Sequence, residues 1–282
     1  MLTPYTLNCH GRLVTLDHCH VMGIVNITDD SFYAASRTPA DAPATIRERV
    51  QRVLAEGADI IDLGACSTRP GSTPVAEAEE MRRLEVALTV VRETAPEAIV
   101  SVDTFRANVA RLAVEDFGAD IINDVSSGEQ DPQMLRTVAR LGVPYVLTHC
   151  RSKACDAFGT PMYDNIGAEV IEDLARRAHH LHNLGVADVI VDPGFGFGKT
   201  AEQGFHLLRD LASFAELHLP LLVGLSRKSM IYRTLNTTPA DALAGTTALH
   251  AYAVWHGAHL LRVHDVKAAA DTINIIQTLQ HA

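Results

Sequence analysis

A glycine followed by a short apolar run and a polar residue occurs four times along this chain. The four copies occupy residues 57–62, 118–123, 185–192 and 257–262. Glycine readily adopts the left-handed backbone that ends a helix, and an unbroken apolar run is typical of a parallel strand covered on both faces. Each copy therefore predicts the end of a helix, followed by a buried strand that ends on a polar side chain.

Four further apolar runs, at 21–27, 99–103, 145–149 and 221–226, predict strands between these copies. Amphipathic stretches predict helices at 42–56, 75–94, 106–117, 132–141, 166–184, 201–217, 240–256 and 266–279. Eight strands alternating with eight helices in 282 residues indicate the α/β class and an eight-stranded parallel (β/α)8 TIM barrel, for which about 250 residues is typical. A doubly wound parallel sheet is the alternative.

The first residues predict a different element. Two short strands flank His10, Gly11 and Arg12 within residues 5–16, so we expect an N-terminal β-hairpin that covers the bottom of the barrel. No linker or low-complexity run divides the chain. We therefore expect one domain, 1–282, with the hairpin in 1–19 and the barrel in 20–282.

The net charge, the first residues and the cysteines indicate which partners and which compartment to expect. The formal net charge of −10 argues against nucleic acid or an anionic membrane as the main partner. The first residues do not place a basic segment before a long apolar stretch, which favours a cytoplasmic protein. The five cysteines form no Cys-x-x-Cys pair, so we expect reduced thiols rather than a disulfide or zinc framework.

Polar side chains follow the predicted strands at the end where a barrel keeps its chemistry. Asp103, Asn123 and Asp192 suit a flat heterocycle with several N–H donors, because a carboxylate accepts two parallel hydrogen bonds. A second set is cationic or donates hydrogen bonds, and it suits phosphate or another anion: Arg69, Lys228, Arg262 and His264. These two sets predict a substrate with a heterocyclic head and a phosphorylated tail. For Asp62 and Asp124 we expect a helix cap or another structural role.

The segment 192–200 contains two weak motifs. Its Gly-Lys-Thr ending resembles a P-loop, but Pro193 occupies the position of the first required glycine. Its glycine rhythm also lacks the spacing of a dinucleotide fingerprint. We interpret it as a tight loop over a strand end, in which Phe195 or Phe197 presents an aromatic face to a planar ligand.

Several segments together resemble the dihydropteroate synthases. They are MGIVNIT at 22–28, DSF at 30–32, STRPG at 67–71, SVDT at 101–104, ND at 123–124, DPGFGFGK at 192–199, SRKS at 226–229 and RVHD at 262–265. The resemblance extends over about residues 20–270. It implies a transferase of folate biosynthesis that condenses 6-hydroxymethyl-7,8-dihydropterin diphosphate with 4-aminobenzoate, releases diphosphate and forms 7,8-dihydropteroate.

The resemblance also implies roles for individual residues. Binding of pterin diphosphate is implied for Thr68, Asp103, Asn123, Asp192, Lys228, Arg262 and His264. The aminobenzoate side is implied for Phe32, Arg69, Phe197 and Ser226. Catalytic roles are implied for Lys228, Arg262 and Asp103, a Mg²⁺-linked position for Asn26, and a homodimer for the assembly.

Two departures from the family pattern keep other functions open. The first loop lacks the family's proline and paired glycines, and Thr148 stands where a methionine is expected to pack on the pterin. A non-catalytic pterin-binding paralogue is therefore one alternative. A pterin-dependent methyltransferase is the other, although such an enzyme would not need the loop at 67–71 or the Arg262 and His264 pair.

Overall fold

The structure is a computed structural model that describes residues 2–28, 42–66, 75–150 and 163–282. It begins with an antiparallel hairpin of β1 (Tyr5–Cys9) and β2 (Arg12–Leu16). His10 and Gly11 form its two-residue turn with φ of 52° and 85°. Positive φ at both turn residues matches the twist of a hairpin, which explains why a glycine occupies the second position.

Eight parallel strands form the barrel. They are β3 (His20–Asn26), β4 (Ile60–Gly64), β5 (Ile99–Asp103), β6 (Ile121–Asp124), β7 (Tyr145–Thr148), β8 (Val189–Asp192), β9 (Leu222–Val223) and β10 (Leu260–Val263). Strands β3 to β8 pair in sequence order, and β10 lies between β9 and β3. A bridge between Val191 and Leu221 joins β8 to β9, so the ring is nearly closed. The predicted TIM barrel is confirmed, because a doubly wound sheet would reverse its strand order.

Helices alternate with these strands. They are α1 (Pro43–Ala55), α2 (Glu77–Thr94), α3 (Ala107–Glu115), α4 (Met134–Leu141), α5 (Ile166–Asn183), α6 (Ala201–Arg209), α7 (Ser229–Thr234), α8 (Leu243–Trp255) and α9 (Val266–His281). The single helix expected at 201–217 is wrong, since α6 ends at Arg209 and a 3₁₀ helix covers Leu211–Leu217. Leu211 and Phe214 are three residues apart and both buried, a spacing that suits three residues per turn. The short helix α7 was not expected.

The inside of the barrel is apolar at the bottom and polar above. Its lower layer contains Met22, Ile60, Ile121, Val146, Ile190, Leu222 and Leu260, and it packs against Leu7, Cys9 and Leu16 of the hairpin. Side chains alternate between the two faces of a strand, so in six of the strands the next inward positions are polar: Asp62, Ser101, Asn123, Thr148, Asp192 and Arg262. The hairpin therefore closes the bottom, and the polar layer forms the floor of the open end.

Within the described ranges, every helix is too short or too polar to span a lipid bilayer. The four cysteines of these ranges, Cys9, Cys19, Cys66 and Cys150, are all buried, and no disulfide joins any two of them.

Candidate active site

Arg262 lies at the centre of the polar layer between two carboxylates. Its Nε donates to Asp62 Oδ2 at 2.7 Å, and its Nη2 donates to Asp103 Oδ2 at 2.6 Å. Although burial opposes the charge, Asp62 and Asp103 raise the pKa of Arg262 above its usual value. The expectation of a helix cap is wrong for Asp62, because this residue is the third in β4 and points into the barrel.

Asp103 and Asn123 stand beside this pair at the ends of β5 and β6. Burial raises the pKa of Asp103 to about 7, and Asp62 adds to the rise while Arg262 opposes it. The Asn123 amide nitrogen lies 3.4 and 3.5 Å from the two Asp62 oxygens. Both side chains are nearly fully buried, so they face one small volume that a ligand edge with N–H groups would fill.

Asp192 ends β8 and caps the loop that follows it. Its Oδ1 accepts the Gly194 backbone N–H at 2.8 Å. Burial raises the pKa of this carboxyl, and the ammonium of Lys228 opposes the rise. Lys228 donates to the Phe195 carbonyl and lies 4.5 Å above the ring of Phe197. The structure thus brings Asp192, Lys228 and Phe197 to one side of the mouth.

Lys199 holds the loop that follows β8 in place. Its ammonium donates to the carbonyls of His149 at 3.1 Å and Gly194 at 3.0 Å. Thr200 caps α6 in a capping box with Gln203. Lys199 therefore holds the loop and Thr200 starts α6. This agrees with the interpretation of the segment 192–200 as a tight loop rather than a P-loop. Phe195 is fully buried in the core, so of the two phenylalanines Phe197 lies at the mouth.

His264 and Ser226 form a hydrogen-bonded pair across β9 and β10. His264 Nδ1 lies 3.0 Å from Ser226 Oγ, and this oxygen accepts the His264 backbone N–H at 3.1 Å. When Nδ1 accepts the Ser226 hydroxyl, Nε2 carries the proton of the neutral imidazole. Burial, assisted by the nearby charge of Arg262, lowers the pKa of His264 to about 3. His264 is therefore neutral near pH 7, and Arg262 supplies the charge on this side. The same geometry places Ser226, expected on the aminobenzoate side, against the anion-binding candidate His264.

Arg227, which sequence reasoning did not single out, secures the segment between Ser226 and Lys228. Its guanidinium makes two parallel hydrogen bonds to Asp265, at 2.7 and 2.9 Å. The residue has φ of 54°, a left-handed backbone that costs energy for a side chain with Cβ. This paired charge fixes the turn between Ser226 and Lys228.

The remaining candidates differ in where they lie. Asn26 ends β3. Its side-chain oxygen Oδ1 lies 3.5 Å from the point that a Cβ on Gly64 would occupy, and the Cβ of Asp103 lies 3.6 Å from the same point. Thr148 has a fully buried hydroxyl with no hydrogen-bond partner in the described part of the chain. Phe32, Thr68 and Arg69 lie outside the described residues, as do most of the first two loops.

Asp124 supports the site from outside the barrel, as expected for a structural role. Its carboxylate accepts hydrogen bonds from the backbone N–H groups of Ser126 and Gly128 and from the Tyr145 hydroxyl. It therefore organises the turn after β6. Sequence reasoning named Asp62 only for a helix cap or another structural role, and it did not single out Ser101. The signal that both point inward was the two-residue alternation from Ile60 and Ile99.

Known proteins resemble this chain in sequence and in fold. The pterin binding enzyme family matches residues 22–264. The dihydropteroate synthase of Escherichia coli K12 is 37% identical over 273 residues, which cover 96% of this chain and 95% of the relative. A dihydropteroate synthase structure from Xanthomonas albilineans with 4-aminobenzoic acid aligns with a TM-score of 0.87 at 39% identity, over 99% of this chain and 100% of that one. The same protein in complex with 7,8-dihydropteroate aligns at 0.82 and 37% identity, over 98% and 99% of the two chains.

Proposed function

This chain belongs to the dihydropteroate synthases of the pterin-binding enzyme family, and we propose how its barrel mouth carries out their reaction. It is a transferase that joins 6-hydroxymethyl-7,8-dihydropterin diphosphate to 4-aminobenzoate. The products are 7,8-dihydropteroate and diphosphate, in folate biosynthesis. The observation that carries the proposal is the buried polar layer around Arg262.

The pterin head is held by Asp103, Asn123, Asp192 and Lys228. These groups face one volume and offer carboxylate acceptors, an amide and an ammonium, which match the alternating donors and acceptors of a pterin edge. Burial strengthens each hydrogen bond. It also gives the pterin a single orientation, which places its methylene carbon towards the open end, where the amine arrives.

The diphosphate is bound by Arg262 and His264, together with Thr68. Arg262 supplies a permanent charge, and His264 supplies a neutral hydrogen-bond donor. The diphosphate gains negative charge as its bond to the methylene breaks, so these donors bind the transition state better than the substrate. Aminobenzoate is assigned to Phe32, Arg69, Phe197 and Ser226, although Ser226 also contacts His264.

We infer that the leaving group departs first. The C–O bond to diphosphate breaks, and the pterin methylene becomes cation-like. The buried carboxylates of Asp103 and Asp192 stabilise that positive charge. The aniline nitrogen then forms the new C–N bond and transfers one of its protons to water. Lys228 and Arg262 keep the two ends of the substrate in place, so these two residues and Asp103 are the catalytic set.

The residues fit a Mg²⁺ that is carried mainly by the substrate. No group of three His, Cys, Asp or Glu side chains within the described ranges could hold a metal, whereas Asn26 offers an amide oxygen at the mouth. Mg²⁺ is commonly held by one or two protein oxygens together with substrate phosphates. When bound, it would neutralise charge on the departing diphosphate.

The test is diphosphate release by purified protein with both substrates and Mg²⁺. We expect stoichiometric dihydropteroate, and Asp192→Ala should lose binding of pterin diphosphate at a nearly unchanged melting temperature. Pterin binding without diphosphate release would instead support the non-catalytic paralogue. Methyl transfer from a methylated pterin would support the methyltransferase.

The assembly and compartment are also proposals. Exposed apolar side chains on the last two helices, including Trp255, Ile275 and Leu279, support a homodimer formed through this face. A cytoplasmic location is supported by the composition. It fits an enzyme whose partners are small-molecule substrates rather than nucleic acid or membrane.

A further inference from the structure

Asp62 is a fully buried carboxylate one inward layer below Asp103. Its Cα is in register with Ser101, while Asp103 is in register with Gly64. Asp62 Oδ1 accepts the Ser101 hydroxyl at 2.7 Å, and Asp62 Oδ2 accepts Arg262 Nε at 2.7 Å. Each oxygen therefore has a fixed partner, and the carboxylate cannot rotate without breaking one of these bonds.

Arg262 consequently divides its donors between two carboxylates. Asp62 Oδ2 accepts Nε and also lies 2.7 Å from Nη2, which donates to Asp103 Oδ2 at 2.6 Å. These contacts fix the plane of the guanidinium. A guanidinium facing a single carboxylate normally forms two parallel hydrogen bonds with it. Without Asp62, Arg262 could bind both oxygens of Asp103, and that carboxylate would then be occupied when the pterin arrives.

We propose that Asp62 is a positioning residue for this reaction. By holding Nε of Arg262, it keeps Nη1 available to the diphosphate and leaves one oxygen of Asp103 available to the pterin. The inference rests on the proposed role of Arg262 in binding diphosphate. Asp62 itself lies beneath Asp103 and acts through Arg262.

The test is a double-mutant cycle on ligand affinity. Wild type, Asp62→Asn, Arg262→Lys and the double variant are titrated calorimetrically with dihydropterin diphosphate and Mg²⁺. Lysine keeps the positive charge but has no Nε donor for Asp62. We expect Asp62→Asn to weaken binding about ten-fold in the wild-type background and less than about two-fold in the Arg262→Lys background, since residues that act through one contact are not additive.

Ser101→Ala provides a milder second variant. It removes one of the two bonds that orient Asp62 but leaves the carboxylate charge, so we expect weaker binding in the same direction, again absent in the Arg262→Lys background. This arm answers the question even if Asp62→Asn does not fold. A purely structural role would lower the melting temperature and affect affinity equally in both backgrounds.

The outcomes separate this inference from the proposed function. If Arg262→Lys binds as tightly as wild type, the diphosphate role of Arg262 is wrong and the inference is overturned with it. If Arg262→Lys weakens binding while Asp62→Asn and Ser101→Ala do not, only the role of Asp62 is overturned. Equal losses from Asp62→Asn in both backgrounds would also overturn it.

Discussion

In six of the barrel strands, the inward side chain changes from apolar to polar within two residues. Ile60 is followed by Asp62, and Ile190 by Asp192. A buried carboxylate is costly unless it is paired and hydrogen-bonded, and here Arg262 and Lys228 supply the opposite charges. The polar layer therefore persists because its members stabilise one another, which also orients them before any substrate binds.

Thr148 is an exception, since its hydroxyl is fully buried and lacks a described partner. We expect Thr148→Val to stabilise the free enzyme by about 1 kcal/mol, because the methyl group removes an unsatisfied polar group at the same volume. Thermal or urea unfolding measures this change.

Thr246→Val is the matched control. The Thr246 hydroxyl is equally buried but accepts the Arg227 backbone N–H at 3.1 Å, so its loss should destabilise by about 1 to 3 kcal/mol. Equal destabilisation by both substitutions would mean that the Thr148 hydroxyl has a partner.

At the scale of elements, the loop after β8 depends on close backbone approach. Gly194 has φ of 72°, and a Cβ built on it would lie 2.0 Å from the His149 carbonyl oxygen. Backbone atoms cannot yield as a flexible side chain does, so only glycine fits between β7 and this loop. The loop in turn holds Asp192 through the Gly194 N–H.

Gly194→Ala should therefore displace the loop and weaken pterin binding at least about ten-fold, in line with the effect of small displacements on positioned groups. Gly142→Ala is the control, since Gly142 has a similar φ of 67° but open space around its Cβ site. That control should cost only about 1 to 2 kcal/mol of backbone strain and leave pterin affinity unchanged. Unaltered affinity in Gly194→Ala would contradict the close approach.

Helix α8 contains a buried histidine, His250, whose titration affects stability. Burial lowers the pKa of this imidazole to about 4, with Asp265 opposing the shift. In the unfolded chain its pKa is about 6.5, so between these values the unfolded state binds a proton that the folded state does not. Stability should therefore fall as the pH drops below about 6.5, and His264 contributes with the same sign.

His250→Leu should reduce the stability lost between pH 7 and pH 5 by about 2 kcal/mol, because each pH unit corresponds to about 1.4 kcal/mol for one proton. Urea unfolding at the two pH values measures the difference. His180→Leu, at an exposed position on α5, is the matched control for replacing a histidine by a leucine. An unaltered acid response in His250→Leu would contradict the depressed pKa.

At the scale of the whole molecule, exposed apolar side chains on α8 and α9 support the proposed homodimer. The face formed by α8 and α9 exposes Trp255 at 49%, Ile275 at 69% and Leu279 at 58%. Apolar groups grouped on one face lose contact with water when two copies associate, at about 25 cal/mol per Å² buried.

We expect light scattering to show a dimer for wild type and a monomer for Ile275→Glu, with the circular dichroism of the fold unchanged, because a buried unpaired charge opposes association. Leu13→Glu is the control, since Leu13 is 72% exposed on the hairpin at the opposite, N-terminal end of the chain. A monomeric wild type would contradict the homodimer. A monomer from Leu13→Glu with a dimeric Ile275→Glu would move the interface to the hairpin.

The barrel and much of its mouth follow from the sequence alone. Glycine at helix ends, apolar runs and helical periodicity are local signals, so they located each barrel strand. The ends differ in places, because β4 continues past Asp62 to Gly64, β10 continues past Arg262 to Val263, and β9 covers only Leu222–Val223 of the expected 221–226. The ends of β5, β6 and β8 located Asp103, Asn123 and Asp192 for the same reason. The helix expected at 201–217 ends early because the apolar spacing of Leu211 and Phe214 suits a 3₁₀ helix as well as an α-helix.

Pairing between distant residues was decided only by the tertiary structure. Asp62 and Arg262 are 200 positions apart, and Ser226 and His264 are 38 apart. Local propensity cannot determine such contacts, because they depend on how the strands are staggered when the ring closes. That closure places Arg262 between two carboxylates. It also lowers the pKa of His264, so that its imidazole is neutral near pH 7. The sequence therefore determined which residues are available to the site, and the closed barrel determined their partners and their charge.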